Sequence, residues 1–477
     1  MTQTRSTLPK EKSDQSLSFW WGFFVERRLD MRTDVLKLKE DGRFNGVHLT
    51  PEELELLQHL HEFKSIHARN VHKYYEITSD GKRKGNMVTN RLAKLVASGI
   101  LFQMNDKEPK REVFRPVNYA YRLGVRGIEV LANQGLFSHE EIESKKKYSY
   151  LVNIPTLHNM AINSLFMEVY RLMWERGESF ESLNVRSNRG ENHALIDSIS
   201  RGRELQPIIP DWIYETERRI ICLEVDSGSQ TLGTIENKIA RYNLLANKSQ
   251  KPITVFFSVG LVNGVDGESR SRDRRVASIK ETLKEGGEWA EGLEIFAAPS
   301  NRAPKILHKL ISRQSAVGRL QMKNKTNQWI MHANKNSPAE FTFSISQNDL
   351  VLQKLIVEDR YDLDLLVEIR TFEDRKIGVL LFMEEGSVLS YQRARANVKR
   401  IVTQLNEAMN ARLKTSLFLI YENTEAAAND VVALNPKCEI IISNLDEVKA
   451  PTREDGVYRP LVTKVATPFT RSEGNIL

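Results

Sequence analysis

The segment that most constrains the fold is Ile220–Asp226, in which the apolar run Ile-Ile-Cys-Leu ends on Glu224, Val225 and Asp226. A short apolar run of this length is typical of a buried strand. Because side chains alternate along a strand, the two carboxylates are predicted to share one face. A polar turn precedes the run and Asp211 lies before that turn, so a hairpin would bring all three carboxylates to one end of a sheet.

Three neighbouring carboxylates repel one another unless a cation lies between them. The sequence therefore predicts a Mg²⁺ or Mn²⁺ site with Asp211, Glu224 and Asp226 as ligands. The next helix carries Lys238 and Tyr242 on one face. Lys238 is either a catalytic residue that stabilises developing phosphate charge or a plain ion-pair partner, and Tyr242 is more typical of a core. The alternative to the whole site is a set of solvated carboxylates at a hairpin end.

These residues, taken in order, resemble a known architecture. The Pro-Asp step at Asp211, the Glu-x-Asp pair at Glu224 and a helix with lysine and tyrosine are similar to the PD-(D/E)xK nuclease-like core. More narrowly, they resemble the replication-relaxation family of plasmids and other mobile elements, over about Leu49 to Pro299. The resemblance implies a winged helix joined to a nuclease-like domain. The nuclease pattern has lysine two residues after the glutamate, where this chain has Asp226, so that Lys238 would be a migrated lysine.

The region 47–138 is predicted to be a winged helix-turn-helix domain. Thr50 and Glu53 form a capping box with Pro51 in the first helical turn. Three helices followed by a hairpin and a short helix are typical of a winged helix. The predicted elements are helices Thr50–Phe63, Ser65–Tyr75 and Asn86–Ser98, strands Ile100–Met104 and Tyr119–Leu123, and helix Val125–Asn133.

The charge of this region favours double-stranded DNA as a partner. Lys64 to Arg126 contains 14 Lys and Arg against 5 Asp and Glu, an excess larger than the +7 of the whole chain. In a winged helix, the third helix enters the major groove and the wing contacts the backbone. The predicted contact residues are Lys82, Arg83 and Lys84 before the third helix, Asn86, Thr89, Asn90, Arg91 and Lys94 on it, and Lys107, Lys110 and Arg111 on the wing. A winged helix used for protein contact, with a solvated basic face, is the alternative.

The other segments complete an α/β multidomain organisation. Residues 1–46 are predicted to be a partly disordered arm, 150–300 the nuclease-like α/β domain, 301–338 a basic linker, 339–450 a second α/β domain and 451–477 a tail. The second α/β domain repeats the first in outline, with Phe382 and Ala396 at the positions of Glu224 and Lys238. It is therefore interpreted as a degenerate copy without the site, suited to homodimerisation or partner docking. His158, at the start of the domain's first helix, either faces the carboxylates or only begins the helix.

Composition limits the class of protein. The chain has 477 residues, 40% hydrophobic and 27% charged, with two cysteines in apolar runs. These values are typical of a soluble protein with reduced thiols, and they predict a cytoplasmic location. The apolar run Leu17–Val25 is too short to span a bilayer, so no membrane partner is expected.

Three functions agree with these observations. The first is a DNA-binding protein of a plasmid or other mobile element, acting in its DNA replication or relaxation, whose nuclease-like domain need not cleave. The second is a divalent-metal-dependent DNA endonuclease in which Asp211, Glu224 and Asp226 hold the metal and Lys238 assists. The third is a transcription regulator. The lysine missing from position 226 favours the first.

Overall fold

The computed structural model forms two compact units, residues 1–156 and 157–477. It describes residues 35–63, 65–105, 119–135, 157–178, 183–187, 208–228, 230–260, 269–283, 289–312, 341–345, 365–371, 375–400, 414–434 and 439–444, together with positions 324, 327, 328, 330, 331 and 334. Among these residues, no helix is both long and apolar enough to cross a membrane. The mixed α/β, multidomain fold predicted from the sequence is confirmed.

The first unit packs helices around a small antiparallel sheet with the strand order β3-β5-β4. A second pair of strands, β1 and β2, lies before the first helix. The elements are β1 Leu36–Leu38, β2 Val47–Leu49, α1 Pro51–Phe63, β3 Ile66–His67, α2 Ala68–Thr78, α3 Asn86–Ala97, β4 Leu101–Asn105, β5 Tyr119–Leu123 and α4 Val125–Asn133.

Helix α1 begins as the sequence predicts. The Thr50 N–H donates to Glu53 Oε2 over 3.0 Å, and the Glu53 N–H donates to Thr50 Oγ1 over 3.4 Å, which is the reciprocal bonding of a capping box. Helix α2 begins at Ala68, later than the predicted Ser65, because Ile66–His67 pairs with β5 as a short strand. Strand pairing thus overrides the helical pattern at this point.

The second unit contains two five-stranded sheets. The first sheet has the order β10-β9-β8-β7-β6, with β6, β7 and β8 antiparallel and β8, β9 and β10 parallel. Its elements are α5 Leu157–Glu175, β6 Asn184–Ser187, β7 Trp212–Glu215, β8 Ile220–Asp226, α6 Leu232–Ala246, β9 Ile253–Val259, α7 Ser269–Thr282, β10 Leu293–Pro299 and α8 Ala303–Ser312.

Helices cover both faces of this first sheet. Helices α6 and α7 bury Ile239 and Val276 against Cys222 and Phe257 on one face. Helix α5 lies on the opposite face, and α8 packs against α5. The predicted linker 301–338 therefore begins with a helix that belongs to this unit. Strand β8 is buried at all seven positions, as expected for a strand covered on both sides.

The second sheet has the same strand order and the same strand directions as the first. Its order is β11-β12-β13-β14-β15, with β11, β12 and β13 antiparallel and β13, β14 and β15 parallel. Gly228 after β8 and Gly386 after β13 both have φ of 80°, a conformation that favours glycine. The elements are β11 Phe341–Ile345, β12 Leu365–Thr371, β13 Arg375–Phe382, α9 Val388–Arg400, β14 Lys414–Tyr421, α10 Thr424–Asn429 and β15 Glu439–Asn444.

The two sheets meet at the outer strand of the first one. The Ala297 N–H on β10 donates to the Gly386 carbonyl over 2.8 Å, and Phe296 forms a bridge with Ser387. Behind this contact, the fully buried Lys280 ammonium on α7 donates to Asp430 Oδ1 over 2.8 Å. We call this contact the junction. It joins the predicted second α/β domain to the first.

Candidate functional site

The predicted hairpin brings Asp211 next to strand β8. The Asp211 N–H donates to the Leu223 carbonyl over 3.0 Å, and Trp212 pairs with Leu223 in the antiparallel ladder. The Asp211 side chain then turns back along the strand, where Oδ2 accepts the Val225 N–H over 2.8 Å. Backbone pairing and a side-chain bond therefore both fix this carboxylate beside Glu224.

The Glu224 carboxylate is buried under helix α6. Its Oε2 accepts a bond from Lys238 Nζ over 2.7 Å, and its Oε1 accepts one from the Tyr242 hydroxyl over 2.7 Å. Lys238 and Tyr242 reach the same carboxylate because they are one helical turn apart. Burial raises the pKa of Glu224, the Lys238 charge opposes this, and the Asp211 charge adds to it. Tyr242 is completely buried, so it serves both as a core residue and as a donor to Glu224.

His158 lies at the start of α5 and contacts the carboxylate cluster. Its Nε2 is 2.8 Å from Asp211 Oδ1, and its side chain is 35% exposed. Of the two interpretations from sequence, the structure favours the one in which His158 faces the site. The hydrogen bond to Asp211 raises the pKa of His158, although burial opposes the shift.

Asp226 shares the face of Glu224 but has different partners. Its Oδ2 accepts a bond from Arg275 Nε over 2.7 Å, and its Oδ1 accepts the Gly228 N–H over 2.9 Å. Arg275 also donates to the Gln230 carbonyl over 2.6 Å, which fixes the loop before α6. Arg275 is not among the site residues predicted from the sequence. The signal that could have found it is the apolar spacing of Val276, Ile279 and Leu283 in a highly charged segment.

The donor set does not fit a resident divalent metal in this arrangement. Both oxygens of Asp211 and both of Glu224 already accept or face N–H and O–H donors, and the Lys238 ammonium supplies the positive charge beside Glu224. Asp226 is neutralised by Arg275. Across the described ranges, no group of three or more His, Cys, Asp or Glu is placed to hold a metal ion. The three carboxylates predicted as ligands are therefore divided among three separate partners, with Asp211 beside His158, Glu224 beside Lys238 and Asp226 beside Arg275.

The His158 contact predicts a pH-dependent stability. Because the pKa of His158 is raised in the folded state, its contribution is complete below about 6.5 and is lost as the pH rises through the folded pKa. The stability difference between wild type and His158→Gln should therefore shrink as the pH rises above about 6.5 in urea denaturation.

A residue with the opposite shift provides the control. Burial lowers the pKa of His72, so the difference between wild type and His72→Gln should change in the opposite direction over the same pH range. A His158→Gln difference that stays constant with pH would contradict the role given to this contact.

The second candidate site is the exposed face of helix α3. Its inward residues Val88, Leu92 and Leu95 are buried in the core of the first unit. The predicted DNA-contact residues that are exposed are Lys82, Lys84, Asn86, Thr89, Asn90 and Lys94. Arg83 is half-buried. Helix α3 contains no Asp or Glu, so the outward face of this helix carries no negative charge.

Arg91 differs from its predicted role. Its Nε donates to Glu53 Oε1 over 2.6 Å and its Nη2 to Glu53 Oε2 over 2.5 Å, and the same Nη2 also donates to the His48 carbonyl. The guanidinium therefore ties α3 to α1 inside the unit instead of facing outward. Position 91 lies between the buried and exposed sides of the helix, so helical periodicity alone did not decide its direction. The predicted wing residues Lys107, Lys110 and Arg111 lie outside the described residues.

Comparisons with known proteins identify one family. Residues 57–259 match the family described as Replication-relaxation. This match covers α2 to α4 of the first unit and the second unit as far as the end of β9, and so includes Asp211, Glu224, Asp226 and Lys238. No curated protein and no solved structure matches the chain.

Proposed function

We propose that the chain, whose residues 57–259 match the replication-relaxation family, belongs to that family and acts by binding double-stranded DNA of a plasmid or other mobile element. The family supports a role in the replication or relaxation of such elements. In this proposal the first unit is a winged helix whose helix α3 enters the major groove. The middle region is a PD-(D/E)xK nuclease-like domain that serves as a scaffold.

The observation that carries the proposal is the outward face of α3 together with the turn before it. Lys82 and Lys84 are exposed in that turn, and Lys94 is exposed in the last turn of the helix. The exposed residues between them are polar or small except for Met87, and no carboxylate interrupts them. Such a face suits the phosphate backbone and base edges of DNA, since phosphate contacts require cations and base contacts require polar side chains.

The state of Glu224 supports a scaffold more than a nuclease. Its charge is compensated by Lys238, and its second oxygen is held by Tyr242, both over 2.7 Å. Because Lys238 is paired with Glu224, we interpret it as a link between α6 and β8 and not as a catalytic residue. Asp226 is used in the same way to join β8 to α7 through Arg275. The cluster thus holds the core of this unit together.

The proposal predicts that the exposed lysines set the salt dependence of DNA binding. Replacing Lys82 and Lys84 with glutamine should weaken binding to a short duplex in fluorescence anisotropy. It should also reduce the slope of log affinity against log salt concentration by about 0.9 for each phosphate that a lysine no longer neutralises. Lys248→Gln is the matched control, because Lys248 is also an exposed lysine but lies in the second unit. An unchanged slope in the double variant would contradict the proposal.

An endonuclease is the second candidate, and the convergence of Asp211, Glu224 and Lys238 favours it. Supercoiled plasmid incubated with Mg²⁺, Mn²⁺ or EDTA separates the two functions. The scaffold proposal expects no cleavage under any condition and salt-sensitive retention of DNA that persists in Glu224→Ala. Nicking that needs the metal and disappears in Glu224→Ala would establish the endonuclease, with Mg²⁺ or Mn²⁺ as its cofactor.

The DNA-binding proposal leaves two roles to distinguish. A binding site near a replication origin would separate a replication protein from a transcription regulator.

A homodimer through residues 339–450 stays a prediction. Light scattering of the full chain would test it.

A further inference from the structure

We propose that helix α3 reads A·T base pairs, with Met87 in contact with a thymine methyl group and Asn86 and Asn90 facing adenine. This inference rests on the proposed DNA-binding function. It adds the class of DNA sequence that the surface recognises.

Met87 is an unusual residue for its position. Its exposed fraction is 63%, the largest of the large hydrophobic residues described in the first unit. Phe102, the next most exposed of them at 48%, lies under the Arg122 guanidinium, which is 4.2 Å from the centre of its ring. Met87 projects from the first turn of α3, the part of a recognition helix that contacts base edges. An apolar side chain in this place fits an apolar group in the groove.

The neighbours of Met87 form a surface that a duplex can approach. Asn90 and Lys94 follow Met87 at intervals of three and four residues, so the three side chains lie along one side of the helix. Asn86 lies beside them in the first turn, and Ala93 is exposed and small. This part of the helix therefore offers two amides, one apolar side chain and one cation at its far end.

The chemistry of these groups selects A·T over G·C. In the major groove, adenine presents N7 and N6, which an asparagine amide bonds in pairs, and thymine presents its methyl group to an apolar side chain. Guanine is read mainly by arginine or lysine, and cytosine by a carboxylate. Helix α3 has no carboxylate.

Helix α3 also lacks a free arginine for guanine. Arg91 is the one arginine in its sequence, and its guanidinium is bound to Glu53 and turned away from the exposed side. Lys94 lies in the last helical turn, far from the end that enters a groove first. The structure thus removes the arginine of this helix as a reader of guanine and leaves the readers of adenine and thymine exposed.

The test begins with selection of duplexes from a random pool by the full-length protein. The selected site should contain A·T pairs. Thymine in that site is then replaced with uracil, which lacks the methyl group and still pairs with adenine. Wild-type affinity should fall about fourfold, as expected for one buried methyl group. Met87→Ala should bind the thymine duplex about as weakly as wild type binds the uracil duplex, and should not distinguish the two.

Leu244→Ala is the control, because Leu244 is an exposed apolar residue, 51% accessible, on helix α6 of the second unit. It should retain the full response to uracil. A wild type that does not respond to uracil, or a Met87→Ala variant that responds as strongly as wild type, would overturn the inference. If the protein binds DNA with the expected salt dependence but selects no site, the inference of A·T recognition is refuted and the proposed DNA-binding function stands. If the protein retains no DNA, both the inference and the proposed function are refuted.

Discussion

Asp430→Ala is expected to lower the free energy of unfolding of the second unit by about 3–5 kcal/mol. Asp430 is the counter-ion of Lys280, and both side chains are at most 2% exposed. Removing the carboxylate leaves an ammonium group without its counter-ion in a medium that solvates charge poorly. The loss is larger than that of a surface ion pair because neither group can turn to water.

Asp430 also holds two other parts of the junction. Its Oδ1 accepts the Gly386 N–H over 3.0 Å, and its Oδ2 accepts the Tyr421 hydroxyl over 2.9 Å. Both donors would lose this acceptor in Asp430→Ala, and an unsatisfied buried donor costs about 1–3 kcal/mol. The double variant Lys280→Met with Asp430→Ala removes the buried charge as well. Its free energy of unfolding should therefore be higher than that of Asp430→Ala alone, but still lower than that of wild type, because the Gly386 N–H and the Tyr421 hydroxyl still lack their acceptor.

Urea denaturation of the full-length chain measures this effect, with Glu425→Ala as the control. Glu425 is also a carboxylate at the junction, but it is 50% exposed and pairs with the exposed Lys305 and with Arg302, which keeps its two bonds to Glu385. Its removal should cost at most about 1 kcal/mol. An Asp430→Ala variant that loses no more than Glu425→Ala would refute the role given to the buried pair.

Glu53→Ala is expected to have the second largest effect, a loss of about 3 kcal/mol from the first unit. This side chain is 1% exposed and accepts bonds from Arg91, from the Tyr75 hydroxyl and from the Thr50 N–H. The variant would remove the capping box and the counter-ion of Arg91 together. The expected loss is smaller than for Asp430→Ala because the Arg91 side chain is 22% exposed and retains some contact with water.

The adjacent Glu52 provides the control for this variant. It is an acidic residue in the same first turn of α1 and is only partly buried. Glu52→Ala should cost about 0.3–1 kcal/mol, the value typical of a charge near a helix N-terminus. Equal losses for the two variants in thermal denaturation followed by circular dichroism would show that the Arg91 pair contributes nothing beyond the helix end.

Local patterns in the sequence predicted much of the fold. The Thr50–Glu53 capping box, the extent of helix α3 and the hairpin before Glu224 all depend on residues close together in the chain. The position of Lys238 and Tyr242 on one face of α6 follows from helical spacing in the same way. These features are local, so a single sequence is enough to predict them.

Contacts between distant segments were not predictable in this way. Lys280 and Asp430 are 150 residues apart along the chain, and neither has a local pattern that marks it as buried. Arg275 has no local signal of its own, because charged residues surround it and the apolar stripe of α7 begins only at Val276. The division of Glu224 and Asp226 between Lys238 and Arg275 depends on two helices whose packing the sequence does not reveal.

The junction also bears on how the protein behaves at the low concentrations of a cell. Two separate chains that met through such a contact would dissociate on dilution. Here the turn at Gly386 and the strand that contains Ala297 are covalently connected, so one surface meets the other at a fixed, high effective concentration. The chain therefore keeps its paired sheets however few copies are present.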